Sequence, residues 1–443
     1  MHSTLLERLQ GRDLARAKEA LQKLSPEEAV TALRQFPATE HVLAYRLLDK
    51  QFAIEVFELL SEDEQVGLLE AMTDSEAADV LAELDLDDQA RLVDEAPAAV
   101  AKRLLAALPA SNQARVGTLL SYPADSAGRI ANPRYLTVRP HTTARQALET
   151  VRHSQLDADD LGTVFVIDVD RRYVGLVNVV ELIQAAQDQH VAELARLPDI
   201  AVATTEDAET AARLPQYHDL TAVPVVDSER RMVGIIHVDD AIRVLEESTS
   251  EDLARTGGSE PLGRPYLVAT PFHLARKRGV WLLLLGIAAV LTVNVLAVFE
   301  ETLESVVALA LFFPLLIDTG GNSGSQAATV VIRAMSVGEV RLGDFLKVVW
   351  REAQVGFMLG LMLGAIALPV IWVFFGIEFA VIVATSLAVI CLWASFVGGM
   401  LPMVAKRVGI DPAVVSAPLI TTLVDATGLI IYFLIAMSVL GLW

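Results

Sequence analysis

From Gly279 to the end, the chain is written almost entirely in apolar letters, and this limits the fold more than any other feature. Five stretches, at roughly 280–299, 304–333, 353–376, 379–404 and 412–440, are each long enough to cross a hydrocarbon core of ~30 Å. In hydrocarbon a backbone N–H or C=O has no water to bond, so each stretch is predicted to be helical. The charge divides at the same place. Residues 279–443 hold 10 acidic and 6 basic side chains, whereas the first 278 residues hold 46 acidic against 29 basic. An acidic soluble part followed by a membrane part therefore reconciles a net charge of −21 with a hydrophobic fraction of 53%. Such acidity argues against nucleic acid, whose phosphates attract Lys and Arg, and suits either solubility or cation binding. The single cysteine, Cys391, lies in an apolar run, so no disulfide framework is expected. The opening MHSTLLERLQGRDLARAKEA has no apolar core of signal-peptide type, which predicts that everything before residue 279 is cytosolic.

The loops between the five stretches sort by charge. Arg276, Lys277 and Arg278, then Arg333, Arg341, Lys347 and Arg351, then Lys406 and Arg407 fall on one side. Glu300, Glu301, Glu304 and the turn at Glu378 fall on the other. Basic loops remain inside, which predicts a cytoplasmic N-terminus and an external C-terminus in the cell membrane.

Two of the stretches are interrupted by polar residues. The second contains PLLIDTGGNSGSQAATVV (314–331), with three glycines and side-chain oxygens from Thr319, Asn322, Ser323, Ser325, Gln326 and Thr329. The fifth places Pro418, Thr421, Thr422, Asp425, Thr427 and Gly428 among apolar residues. The expectation is a broken helix at each place, with irregular backbone lining a water-filled path and Pro314 starting the first kink. Helix–helix packing explains one or two small residues in a span, but eight together less readily. A carboxylate at mid-membrane costs ~2.5 kcal/mol or more unless it meets water, a cation or a pairing partner. Asp425 is thus a candidate cation ligand, and Thr421 and Gly428 share its helical face at i−4 and i+3. Carboxylate, hydroxyl, amide and carbonyl oxygens suit Mg²⁺, Ca²⁺ or Mn²⁺, and no Cys, His or Met cluster near either motif favours copper or zinc. No phosphate loop, hydrolase His/Asp set or nucleophile with its base points to an enzyme.

The soluble part is built of repeats. An apolar residue followed by a helix-starting residue recurs at 12-residue intervals: Leu24-Ser25, Phe36-Pro37, Leu48-Asp49, Leu60-Ser61, Met72-Thr73, Leu84-Asp85 and, two intervals on, Leu108-Pro109. Capping boxes are predicted at Ser25…Glu28, Ser61…Glu64, Thr73…Glu76 and Asp85…Asp88. Helices this short must stack on their neighbours, which gives a small acidic solenoid. Further on, VFVIDVDRRYVGLVNVVEL (164–182) aligns with VPVVDSERRMVGIIHVDDA (223–241). Each half reads as strand, Asp-x-x-Arg-Arg turn, strand and helix. This resembles a tandem pair of CBS domains. In that family a Ser/Thr-x-x-Asp motif often holds the ribose of an adenine nucleotide such as ATP. Here Asn178…Glu181 and His237…Asp240 stand in its place, and the resemblance leaves nucleotide binding open.

The full order is similar to that of the MgtE family of magnesium channels and transporters, and the two span motifs resemble that family's second- and fifth-span signatures. The resemblance implies an α-helical N domain (1–128), an α/β CBS pair (129–246), a connecting plug helix (247–278) and an all-α five-span bundle (279–443). It implies a homodimer whose axial pore is lined by spans two and five. Asp425 of each chain would grip hydrated Mg²⁺, with Thr421, Gly321, Asn322, Gly324, Ser325, Gln326, Thr329 and Asp318 along the path. It also implies closure by cytosolic Mg²⁺ bound at Asp87, Asp88, Asp207, Glu209, Asp219, Asp240, Glu251 and Asp252, with Asp411 as a gating acid. Bridging divalent ions would offset repulsion between two strongly acidic soluble parts, although most of the 46 acids are ordinary solvated surface. The chain departs from the family pattern where Asp318 stands for a small residue, Ser325 for Asn and Ala417 for a polar residue, and where Arg91 and Arg243 replace acids. The alternative is a CBS-regulated secondary transporter for another divalent cation or solute, since broken helices occur there too.

Overall fold

The computed structural model describes residues 13–442, apart from 35, 37, 158, 159, 197, 198, 263–265, 267 and 268. The chain divides into two units, one running to Ser248 and the other comprising Thr249–Leu262 and the chain from Ala269 on.

Nine short helices among the described residues, from Leu14–Leu21 to Ala110–Leu119, begin the first unit. None is long enough to be stable alone, and each buries an apolar face on its neighbours. The 12-residue period is visible in the core: Leu33, Tyr45, Phe57, Leu69 and Leu81 are all at most 4% exposed. Ion pairs keep the same spacing, with Arg34–Glu64 at 2.9 Å and Arg46–Glu76 at 2.8 Å. The boxes at Ser25 and Thr73 form in both directions, and the Ser61 N–H donates to Glu64 at 2.9 Å. The fourth predicted box does not form. Asp85 makes no cap bond, because its carboxylate accepts from Asn132 Nδ2 at 3.1 Å and Arg134 Nη1 at 2.8 Å. Pro37, within the repeat, lies outside the described residues.

Two three-stranded sheets follow. β1 (Leu136–Val138) pairs parallel to β2 (Thr163–Ile167), which pairs antiparallel to β3 (Tyr173–Asn178). β4 (Val202–Ala203), β5 (Ala222–Val226) and β6 (Met232–His237) repeat that pattern, with β5 and β6 lying 59 residues after β2 and β3. The sheets share a core in which Phe165, Tyr173 and Leu176 meet Ala222, Met232 and Ile235. The two Asp-x-x-Arg-Arg turns also meet: the Tyr173 N–H donates to the Arg230 carbonyl at 2.9 Å, and the Met232 N–H to Arg171 at 3.1 Å. A helix, Val238–Thr256, leaves β6.

Among the described residues, the second unit holds five helices long and apolar enough to cross a membrane: Pro271–Val298, Phe313–Ser336, Phe345–Phe375, Ile377–Arg407 and Ala417–Leu440. They are the first to fifth spans below. The fourth packs extensively on the third and on the second, and the fifth packs on the second, fourth and first. The first span begins earlier than its apolar run, so Arg276, Lys277 and Arg278 are helical.

The predicted breaks are not there. Residues 313–336 form one continuous α-helix straight through the Gly-Gly-Asn-Ser-Gly-Ser run, and 417–440 form another. The irregular backbone precedes each helix, as 3₁₀ turns at Val307–Phe312 and Pro412–Val414. Pro314 and Pro418 sit in the first turns, where a missing N–H costs nothing, so they start helices rather than bend them. The hydroxyls are absorbed locally: Thr329 donates to the Ser325 carbonyl at 2.9 Å, Thr421 to Pro418 at 2.9 Å, and Thr427 to Leu423 at 2.9 Å.

Candidate ion pathway and candidate regulatory acids

The glycines of the second span are contact points between helices. A Cβ on Gly320 would lie 2.7 Å from Ile390 Cγ2, and one on Gly324 would lie 2.9 Å from Ile420 Cγ2. Gly321 faces the fifth span at Thr421 and Asp425. Helix–helix packing is thus what these three small residues do. The polar residues of the same motif turn the other way. Asp318, Asn322 and Gln326, four residues apart, are exposed with Thr329 and Arg333 along one stripe of the helix. Ser325 is half-buried and donates to the Ala417 carbonyl at 3.3 Å, and Ser323 is buried against Ser395 at 2.9 Å.

Asp425 is half-buried on the fifth span, with Thr421 one turn before it and both directed at Gly321. Asp318 stands about one turn before Gly321 on the second span. Gly428, about one turn further on, is buried against Ile390 of the fourth span. Among the described residues, neither Asp318 nor Asp425 has a hydrogen-bond or ion-pair partner. The two helices thus bring two carboxylates, two amides and hydroxyls to one side of the bundle. Hard oxygens of this kind suit a divalent cation held through its water shell.

The acids assigned to regulation are not gathered into metal cages. Among the described residues, no three His, Cys, Asp or Glu side chains come together as a cation site. Asp88 pairs with Arg91 at 2.9 Å, and Arg243 contacts both Asp240 and, at 3.6 Å, Asp88. Asp87 is buried beside them with its Oδ1 unpartnered, and burial pushes its carboxyl well above the usual range, with Asp240, Asp88 and Asp85 adding to the effect. Glu209 pairs with Arg213 at 2.5 Å, and Asp207 caps its helix by accepting from the Thr210 N–H at 2.8 Å. Asp219 closes a helix in a left-handed conformation, φ 52°. Arg255 bridges Glu251 at 3.0 Å and Asp411 at 2.5 Å. Asp252 lies on the same helix as Glu251 and Arg255.

The nucleotide candidates are also engaged. Asn178 caps a helix through the Val180 N–H at 2.8 Å, while Glu181 accepts from the Asn178 N–H at 3.1 Å and pairs with Arg196 at 2.8 Å. His237 Nε2 lies 2.9 Å from Asp160 Oδ1, and both residues are buried. Sequence reasoning missed Asp160 and Arg134, which tie β6 and the solenoid together through Asp85. It also missed the third-span glycines at 356, 360 and 364. A Cβ on the first would run into the Cys391 carbonyl, and one on the others would lie 2.5 and 2.8 Å from fourth-span backbone. Their i, i+4 spacing was the available signal.

A CBS-bearing soluble part and a five-helix part that presents carboxylates at membrane depth together define a multi-pass cation transporter with regulatory domains. A family model described as a divalent cation transporter matches residues 313–435, the MgtE intracellular N domain matches 4–125, and CBS domains match 127–188 and 191–247. The magnesium transporter MgtE of Thermus thermophilus is 37% identical over 352 residues, covering 80% of this chain and 78% of its own. That of Bacillus subtilis is 31% identical over 334 residues, covering 75% and 73%. A crystal structure of the cytosolic domain of the Mg²⁺ channel MgtE in complex with ATP superposes with a TM-score of 0.51 at 33% identity, covering 55% of this chain and 100% of that one. The chain belongs to the MgtE family of divalent cation transporters, a family of transporters and not of enzymes.

Proposed function

We propose that the chain conducts hydrated Mg²⁺ across the cell membrane along a path lined by the second and fifth spans of two copies. The observation that carries this reading is the polar stripe Asp318, Asn322, Gln326 and Thr329, exposed on an otherwise apolar helix beside Asp425. Facing lipid, an ionised carboxylate in such a stripe costs ~2.5 kcal/mol or more. Facing a second copy across a water-filled axis, that cost disappears and the oxygens become ligands. The Mg²⁺ aqua ion sheds water reluctantly, so a half-buried carboxylate that grips it through water is the appropriate ligand. Two Asp425 carboxylates, one from each copy, would form the narrowest charged point.

In this reading the acidic soluble part stays in the cytosol, with the C-terminus outside, and cation binding there, at carboxylates other than those already paired with arginine, closes the path. The 46 acids of the first 278 residues support it, because divalent ions relieve the repulsion of compact packing. For an adenine nucleotide to bind at Asn178 and Glu181 or at His237 and Asp240, these side chains must first release the partners they now hold.

Mg²⁺ uptake into proteoliposomes carrying a Mg²⁺-sensitive dye tests the reading. Flux through the wild type and its loss in Asp425→Ala are expected. Equal flux in both would remove Asp425 from the path, and no wild-type flux from well-folded protein would favour a different solute.

A further inference from the structure

Five of the nine acids assigned to regulation already hold an arginine: Asp88, Glu209, Asp240, Glu251 and Asp411. Two of these arginines lie between carboxylates that belong to separate segments. Arg243 reaches Asp240 on its own helix and Asp88 on the solenoid helix Leu86–Glu95. Arg255 reaches Glu251 on its own helix and Asp411 in the loop before the fifth span. A divalent cation joining either pair would occupy the space the guanidinium fills. Asp411 is held on its other side too, since its Oδ1 accepts from the Ala413 N–H at 2.8 Å.

A guanidinium is charged at every physiological pH and offers several donors in a planar fork. It is also tethered, so its effective concentration at the site far exceeds that of a free ion. An incoming Mg²⁺ must displace it and gains fewer free carboxylate oxygens in return. The residues at these two joints therefore do not fit a regulatory divalent ion.

We propose that Arg243 and Arg255 act as built-in cations that hold the two joints closed in place of regulatory Mg²⁺. Closure there is then independent of the ion. The inference deepens the reading of the chain as a gated Mg²⁺ path and rests on it for its consequence, a weak response of flux to cytosolic Mg²⁺. The latch itself is measurable without flux.

Hydrogen–deuterium exchange on the full-length protein in nanodiscs, in chelator and in millimolar Mg²⁺, provides the test. Wild type is expected to protect Leu86–Glu95 and 249–256 equally in both conditions. Arg243→Gln should raise exchange in the first segment and Arg255→Gln in the second, each by roughly two- to fivefold, as loss of a partly exposed ion pair does. Arg243→Lys and Arg255→Lys, which keep the charge, should restore part of the protection and separate a latch from misfolding. Wild-type segments that exchange freely in chelator and become protected by Mg²⁺ would overturn the proposal, as would Gln variants that match wild type. Absence of Mg²⁺ flux would remove the transport reading while the exchange pattern still decided the latch.

Discussion

Gly321 of the second span faces the fifth so closely that a Cβ there would lie 3.1 Å from Thr421 Cγ2 and 3.7 Å from Asp425 Oδ1. The carboxylate thus looks onto bare helix backbone, and the gap between the two spans is set at this residue. Gly321→Ala demands a shift of a few tenths of an ångström from Thr421, which one helix turn can accommodate. The expected outcome is a protein that folds and inserts but carries less Mg²⁺, read as dye-reported flux at matched protein density. Unchanged flux would place the ion path away from this contact.

A second glycine tests packing alone. A Cβ on Gly398 of the fourth span would run into the carbonyl oxygen of Gly324, and backbone cannot rotate aside. Overpacking of this kind costs ~1–3 kcal/mol or more, so Gly398→Ala should lower the thermal midpoint of the detergent-solubilised protein sharply. Gly428→Ala is the control. Its nearest neighbour, Ile390 Cγ2, would be at an ordinary 3.5 Å, and near wild-type stability is expected.

Asp87 gives a prediction with opposite signs for two roles. Its carboxyl is buried, one oxygen has no partner, and its pKa is raised well above 3.8. A raised carboxylate stabilises the fold only where it is protonated, and its contribution turns into a cost as pH climbs above the unfolded value towards the folded one. Asp87→Asn removes that cost and should stabilise the first unit at neutral pH, by about 1.4 kcal/mol for every tenfold gain in proton affinity that burial imposes on the carboxylate. If Asp87 is instead a Mg²⁺ ligand, added Mg²⁺ will raise the wild-type melting temperature and leave the Asn variant unmoved.

These contrasts show where the sequence is readable. The spans, the 12-residue solenoid and the doubled strand pattern depend on periodicity, which one chain displays by itself. The bounds of the strands flanking the two Asp-x-x-Arg-Arg turns repeat at the offset those turns suggest, and Leu33 to Leu81 fall inside on schedule. The expected broken helices are where the sequence misleads. Glycine and hydroxyl residues read as helix breakers, but the hydroxyls bond the preceding turn and the glycines admit a neighbouring helix. Which of these happens is decided by the partner helix, such as Ile390 against Gly320, and local sequence does not name it. The acids expected to take part in regulation are visible one at a time, whereas the pairing of Asp88 with Arg243 and of Asp411 with Arg255 joins residues 155 or more apart and needs the fold.

The last prediction concerns pH. His237, at the end of β6, is buried, which by itself would lower its pKa. The hydrogen bond to Asp160, with the charges of Asp160, Asp240 and Asp239, outweighs burial and holds it above the ordinary 6.5. A histidine whose folded pKa is raised binds its proton more tightly when folded. Its stabilising contribution is complete below pH 6.5 and is lost as pH rises through the raised value. Asp160 also lies 3.6 Å from Arg134, which in turn holds Asp85 on the solenoid. Deprotonating His237 therefore weakens the link between the second CBS repeat and the loop that carries Asp160, while the Arg134 pairs persist. Thermal unfolding of the full-length protein from about pH 6 to pH 8.5 should show wild type losing stability relative to His237→Gln. That variant keeps a donor towards Asp160 without a titrating group. Parallel curves for the two proteins would mean that His237 does not titrate with folding, and that its bond to Asp160 is a neutral structural contact.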